Sequence, residues 1–203
     1  MPNWCFTNIT MTGQKEKVQF LYDKIEEWTS KDYMDNGFGH TWLGNIVLGS
    51  GIATKEDIDD RDAPRCRGNI VYLDIYIIDS DTAELTVQTE TAWCPMMKMW
   101  SMINEHYDLN LEIIYTAEEP GVELYITNDY DVAGTYIMDA YDIDEIQTDY
   151  GVEEKYVARE LQELLSTTEI NIEKLINIFD ESEYSDRMTI GKYSYVDIDD
   201  LVE

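Results

Sequence analysis

The sequence predicts an α+β fold with helices on one face of an antiparallel sheet. Three observations lead there. Some stretches alternate apolar and polar residues, others repeat apolar residues every three or four positions, and the two kinds follow one another in a definite order along 203 residues. The first predicted strand is Trp4 to Thr12, where Cys5, Thr7, Ile9 and Met11 alternate with Phe6, Asn8 and Thr10 until Gly13 breaks the pattern. Val18, Leu21, Ile25 and Trp28 then form one stripe of a helix from about Lys15 to Thr29. Residues 31–67 are less regular and read as an insertion. It holds a strand over Thr41 to Leu48, bracketed by Gly37, Gly39, Gly49 and Gly51, and an acidic loop over 56–62 followed by Pro64. Asn69 to Ile78 is rich in Val, Ile and Tyr and reads as a strand. After the polar turn Asp79-Ser80-Asp81, Glu84 to Thr91 completes a hairpin. Pro95 suits the first position of a helix carrying Met96, Met99, Trp100, Ile103 and Tyr107, and Leu109 to Thr116 is the next strand.

The order β-α-(insertion)-β-β-α-β is the split βαβ arrangement of a ferredoxin-like sandwich. Pro120-Gly121 makes a turn, and Val122 to Thr127 and Thr135 to Ala140 are expected to extend the sheet. Beyond residue 150 the period becomes helical. Val152, Tyr156, Val157, Leu161, Leu164 and Leu165 mark one helix, and Ile172, Leu175, Ile176 and Phe179 mark a shorter one. Met188 to Ile198 reads as a final strand. The expected organisation is a ferredoxin-like domain over 1–128, with its insertion at about 31–67, and an acidic extension over 129–203 packed on it.

Two stretches carry a family likeness. Pro2-Asn3-Trp4-Cys5-Phe6-Thr7-Asn8-Ile9-Thr10-Met11-Thr12-Gly13 resembles the start of a ferredoxin-like domain family of unknown function carried by phages and plasmids. Thr91-Ala92-Trp93-Cys94-Pro95, leading through a helix to Tyr107-Asp108-Leu109, is similar to that family's Ala-Trp-x-Pro-Pro segment; Glu118-Glu119-Pro120-Gly121 also fits. The likeness spans roughly residues 1–128. It departs at Met96, where the family has a second proline, and in the long 31–67 region. It implies a mobile-element origin and no catalytic residues.

Charge bounds the function. There are 43 Asp and Glu against 14 Lys and Arg, a net charge of −29. Small domains stay soluble with a net charge of magnitude roughly 2 to 8, so this excess goes far beyond solubility and makes the compact state repel itself. Binding to DNA or RNA rests on Lys and Arg neutralising phosphates, so direct nucleic-acid binding is disfavoured, as are anionic membranes. Basic proteins, or cations, are the natural partners. With 44% hydrophobic and 12% aromatic residues the chain has the material for a core, which argues against general disorder. Three scattered cysteines, Cys5, Cys66 and Cys94, do not look like a disulfide framework. No basic-then-apolar leader is visible, and no apolar run approaches the ~18 residues of a membrane span. The expected location is the cytoplasm of a bacterial host.

Motifs for chemistry are sparse. Cys5, Cys66, Cys94, His40 and His106 show no metal-ligand spacing, although Cys94 lies just before a helix. Asp57, Asp59, Asp60 and Asp62 lack the Gly and Glu of a calcium loop, and Arg61, Arg65 and Arg67 offer local counter-charge. No phosphate-binding or nucleophile-elbow motif occurs, and no cofactor is expected. The acidic distribution says more. From Asp129 to Glu203 there are 21 acids against five bases, Lys155, Arg159, Lys174, Arg187 and Lys192. Asp129, Asp131, Asp139, Asp142, Asp144, Glu145, Asp149, Glu153 and Glu154 lie in a stretch without Lys or Arg, interleaved with Tyr130, Tyr136, Tyr141 and Tyr150. On a strand, residues i and i+2 sit roughly 6.6 Å apart on one face, comparable to successive phosphates; Asp129/Asp131 and Asp142/Asp144 have that relation.

The leading expectation is a non-enzymatic inhibitor. It would present these nine acids to a basic, nucleic-acid-binding host defence protein, such as a CRISPR effector or restriction enzyme, as an acidic nucleic-acid mimic. The alternative is a small-molecule-binding or enzymatic domain with a site near Trp4, Trp93 and Cys94. A third is an acidic assembly protein, and the oligomeric state stays open.

Overall fold

A computed structural model describes residues 3–58, 63–141, 143 and 148–202. The fold is α+β, built on a six-stranded sheet in the order β2-β3-β1-β4-β5-β9. β1 (Trp4–Gln14) runs through its middle, antiparallel to β3 (Thr82–Ala92) on one side and β4 (Glu112–Glu119) on the other. Its alternation does what period two requires: Cys5, Thr7, Ile9 and Met11 are buried while Trp4, Phe6 and Asn8 face out. β2 (Gly68–Ile77) forms the edge beyond β3, with a register shift between Ile70 and Tyr72.

α1 (Lys15–Trp28) buries Val18, Leu21, Ile25 and Trp28 against the sheet, as its spacing predicts. The 31–67 region does not hold the expected strand over Thr41 to Leu48. Its centre is a helix, α2 (Leu43–Ser50), and Leu43, Ile46, Val47, Ile58 and Cys66 belong to the main core. The continuous apolar run hid the helix, because nearly every side chain in it is buried and no polar face sets a period. Two glycines allow the close packing. A Cβ at Gly44 would lie 2.2 Å from the Trp42 ring, and one at Gly49 would lie 2.5 Å from the Trp28 ring. Buried Asn45 is fully employed. Its amide donates to the Gly39 and His40 carbonyls and accepts from the Tyr33 N–H, which pins the 31–42 loop to α2.

Pro95 is buried in a lead-in, and α3 starts three residues later (Lys98–His106). Ahead of it Trp93 adopts φ 76°, a left-handed conformation unusual for a bulky residue. The Trp93 N–H donates to the Asn3 carbonyl, and the Thr91 hydroxyl donates to the Cys94 carbonyl. β4 turns through a 3-10 segment (Pro120–Val122) into β5 (Leu124–Thr127).

β6 (Tyr136–Ala140) does not extend this sheet. It is the centre of a second sheet, β7-β6-β8, with β7 (Asp149–Val152) and β8 (Met188–Lys192) antiparallel to it. α4 (Glu154–Leu164) and α5 (Ile172–Asp180) cover that sheet around Met138, Val157, Leu161, Leu175 and Phe179. The last strand splits at Tyr193. β8 stays in the small sheet, while β9 (Ser194–Tyr195) pairs in parallel with β5 of the large one. Val196, Ile198 and Leu201 then pack on the main core, and the Tyr115 hydroxyl donates to the Val196 carbonyl. The end of the 129–203 segment is thus woven into the first sheet. No helix among the described residues is long and apolar enough to cross a membrane.

Candidate functional site

Two regions have features that the core does not explain. The first is the outer face of the large sheet, opposite α1. Register places Tyr76, Glu84, Thr12 and Glu112 side by side across four strands, followed by Asp74, Thr86, Thr10 and Ile114, then Tyr72, Gln88, Asn8 and Thr116, then Glu90, Phe6 and Glu118. No Lys or Arg stands among these positions. Four aromatic rings are left open on the face: Trp4 at 42%, Phe6 at 52%, Tyr72 at 46% and Tyr76 at 66% exposure. Open rings on one sheet face offer contact points for a partner.

At one end this face is closed by the second sheet. Gly191 sits against the Tyr125 ring, where a Cβ would come within 2.4 Å of its carbons. The Tyr193 hydroxyl donates to Glu118, and Tyr125, Tyr193 and Ile137 form a small joint core. Burial raises the Glu118 carboxyl above the usual range; the Tyr193 bond opposes this and the charge of Asp139 adds to it.

The six described acids of the base-free stretch do not form one strand face. Asp129 and Asp131 lie in a turn, not on a strand, and the Asp129 carboxylate accepts the Asp131 N–H at 2.8 Å. The polar turn residues there favour a side-chain-to-backbone bond over extension. Asp139 accepts from the Thr148 hydroxyl at 2.8 Å, and Asp149 from the Tyr156 hydroxyl at 2.6 Å. Glu153 pairs with Lys155 at 2.5 Å, and Glu154 lies 3.8 Å from Lys192 in the first turn of α4, where the helix dipole favours an acid. Asp142, Asp144 and Glu145 lie outside the described residues. Of the interleaved tyrosines, Tyr136 is buried in the second core, whereas Tyr130, Tyr141 and Tyr150 are exposed. Tyr130 stacks on Tyr195 at 4.3 Å.

The second region is a cavity of about 510 Å³ at the Trp4 end of the sheet. Trp4, Phe38 and Trp42 line it with Arg65, Arg67 and Asn69. Phe38 tilts against Trp42 with ring centres 5.3 Å apart. Between residues 64 and 68 the chain alternates: Pro64, Cys66 and Gly68 are buried, and the two arginines stand between them. Neither guanidinium forms an ion pair with a carboxylate among the described residues. The side-chain oxygen of Asn69 is buried with no hydrogen-bond partner among them.

Of the alternative site foreseen near Trp4, Trp93 and Cys94, only Trp4 lines the cavity, with Cys66 on its wall. Trp93 is half-exposed and Cys94 half-buried. Cys5 is buried, which pushes its thiol up to about 11, the wrong direction for a nucleophile. No group of three His, Cys, Asp or Glu side chains that could hold a metal occurs among the described residues. His40 approaches Asp32 at 3.5 Å, and His106 packs edge-on to Tyr107. Of the acidic loop, Asp57 accepts from the Thr54 hydroxyl, while Asp59, Asp60 and Asp62 lie outside the described residues.

Sequence reasoning missed Phe38, Trp42, Arg65, Arg67 and Asn69 as one group. One signal was present: three of the chain's five arginines fall within seven residues, Arg61 to Arg67. Compared with known proteins, the chain matches no family model, no curated protein and no solved structure.

Proposed function

We propose that this chain is a non-catalytic inhibitor from a phage or other mobile element. It occupies the nucleic-acid groove of a basic host defence protein, such as a CRISPR effector or restriction enzyme. The observation that carries the reading is the outer sheet face: acids and open aromatic rings across four strands, without one base, in a chain of net charge −29. Carboxylates there meet Lys and Arg of a groove built for phosphates, and the rings accept guanidinium groups by cation–π contact. The acids from Asp129 to Glu154 enlarge the same field. Steering by this field makes association fast and salt-sensitive. The same field disfavours nucleic acid itself and anionic membranes. A ferredoxin-like reading of Trp4–Glu119 is part of the proposal, supported by the strand order β2-β3-β1-β4 with all pairs antiparallel.

The test is capture of partners from a bacterial lysate on the immobilised full chain, followed by elution with duplex DNA. A mimic loses its partner to DNA. A variant with Asp142, Asp144, Asp149, Glu153 and Glu154 changed to amides, and a second with Glu84, Glu90 and Glu112 changed to Gln, divide the effect between the two acidic surfaces. Full retention in DNA, or undiminished capture when both sets are combined, sinks the proposal.

A further inference from the structure

We propose that the cavity at the Trp4 end of the sheet binds a small aromatic anion, a nucleoside monophosphate or a molecule of the same chemistry. The inference does not rest on the inhibitor reading, since it concerns a place where two arginines, not carboxylates, stand beside the open rings.

Four properties of the cavity converge on that ligand class. Its volume, about 510 Å³, suits a mononucleotide and falls within the range of small-molecule sites. Its rings, Trp4, Phe38 and Trp42, offer faces on which a planar base stacks, a contact that tolerates any base. Arg65 and Arg67 supply charge-assisted donors; two residues apart and both lining the cavity, they can grip one phosphate between them. Asn69 has the opposite need. Its side-chain oxygen is buried and lacks a donor among the described residues, and an unmet buried acceptor is costly. Asn69 lines the cavity, so a shift of its side chain on binding would let the N–H of a nucleobase edge meet that need, whereas a simple inorganic anion has none to give.

The alternatives fit less well. A cation would meet two guanidinium groups that have no carboxylate partner among the described residues. A purely apolar ligand would leave those donors and the Asn69 oxygen unpaired. The overall negative charge opposes an anion only at long range, because the Debye length is about 8 Å at physiological salt.

The experiment titrates the full chain with AMP, and separately with adenosine and with inorganic phosphate as its two halves. Tryptophan emission and the melting temperature are followed, since two of the five tryptophans line the cavity. AMP is expected to quench emission saturably and raise the melting temperature, with either half binding at least about tenfold more weakly. Changing Arg65 and Arg67 together to Ala is expected to weaken AMP by more than about tenfold, as loss of charged hydrogen bonds does. If the double variant melts early, Arg67→Ala carries the test, because Arg67 is exposed. There a loss of about tenfold is expected. AMP affinity equal to that of the unmodified chain in a folded arginine variant overturns the inference. So does the absence of saturable quenching by AMP, GMP, CMP and UMP up to about 10 mM, beyond which binding is too weak to be specific. None of these outcomes bears on capture of a basic partner, so the two proposals fail separately.

Discussion

The outer sheet face and the cavity at its end share Trp4 and little else. Along the face, carboxylates stand between open rings and no base occurs. In the cavity, rings again stand open, but the charge beside them is two guanidinium groups without carboxylate partners among the described residues. A single net charge therefore describes neither region. Under the two proposals, aromatic rings would serve cation binding in one place and anion binding in the other, according to the charge beside them.

The difference is sharpest in salt. Capture of a basic partner on the acidic face is expected to fall on the order of 100-fold between 50 and 500 mM NaCl, because each neutralised contact is screened. This is read as bound partner at equilibrium, and a flat profile would contradict electrostatic docking. The next largest effect tests what closes the face at one end. Gly191→Ala places a methyl group where the Tyr125 ring lies, 2.4 Å from its carbons. A loss of about 1–3 kcal/mol in urea unfolding is expected, as for overpacking elsewhere. No loss would show that the two sheets can part without cost.

A smaller effect concerns Glu118 at that junction. Its carboxyl is raised by burial, so the native state binds this proton more tightly than the unfolded chain does. The stability it contributes is present below the unfolded value, about 4.3, and is lost as pH rises through the raised native value. As pH falls from neutral toward that unfolded value the melting temperature is therefore expected to climb, the reverse of ordinary acid denaturation. Relief of the −29 self-repulsion adds to the climb, so Glu118→Gln should lessen the slope without abolishing it. An unchanged slope would mean that Glu118 is not what the pH senses. The smallest effect belongs to the cavity. Distant acids are screened first, so AMP affinity is expected to rise about two- to threefold from 10 to 150 mM salt, opposite in sign to the face. A monotonic fall would mean that contact charge alone governs the site.

Much of the fold was legible. β1, α1, β2, β3, β4, α4 and α5 stand where alternation or helical spacing placed them, within a few residues. In β1, β3 and the helices one side is more buried than the other, and that asymmetry writes a period into the chain, whereas β2 was read from its Val, Ile and Tyr content. α2 was illegible because it is buried nearly all round. The split at Tyr193 was illegible for a different reason: both halves alternate alike, and only partners elsewhere decide which sheet each half joins. The acidic excess was plain, but not its use within the fold. Asp129, Asp139, Asp149 and Glu154 all accept hydrogen bonds or lie near a cation inside the structure, and side-chain partners leave no mark on spacing.

By itself, the sequence determined an α+β chain of net charge −29, because periodicity and charge are properties of neighbours along the chain. Tertiary structure alone decided that the acids share a sheet face with Phe6, Tyr72 and Tyr76. It alone drew Trp4, Trp42 and Arg67 from three segments to one cavity, and it alone sent the last strand back to the first sheet. Those facts depend on register and packing between residues tens of positions apart, which no local pattern encodes.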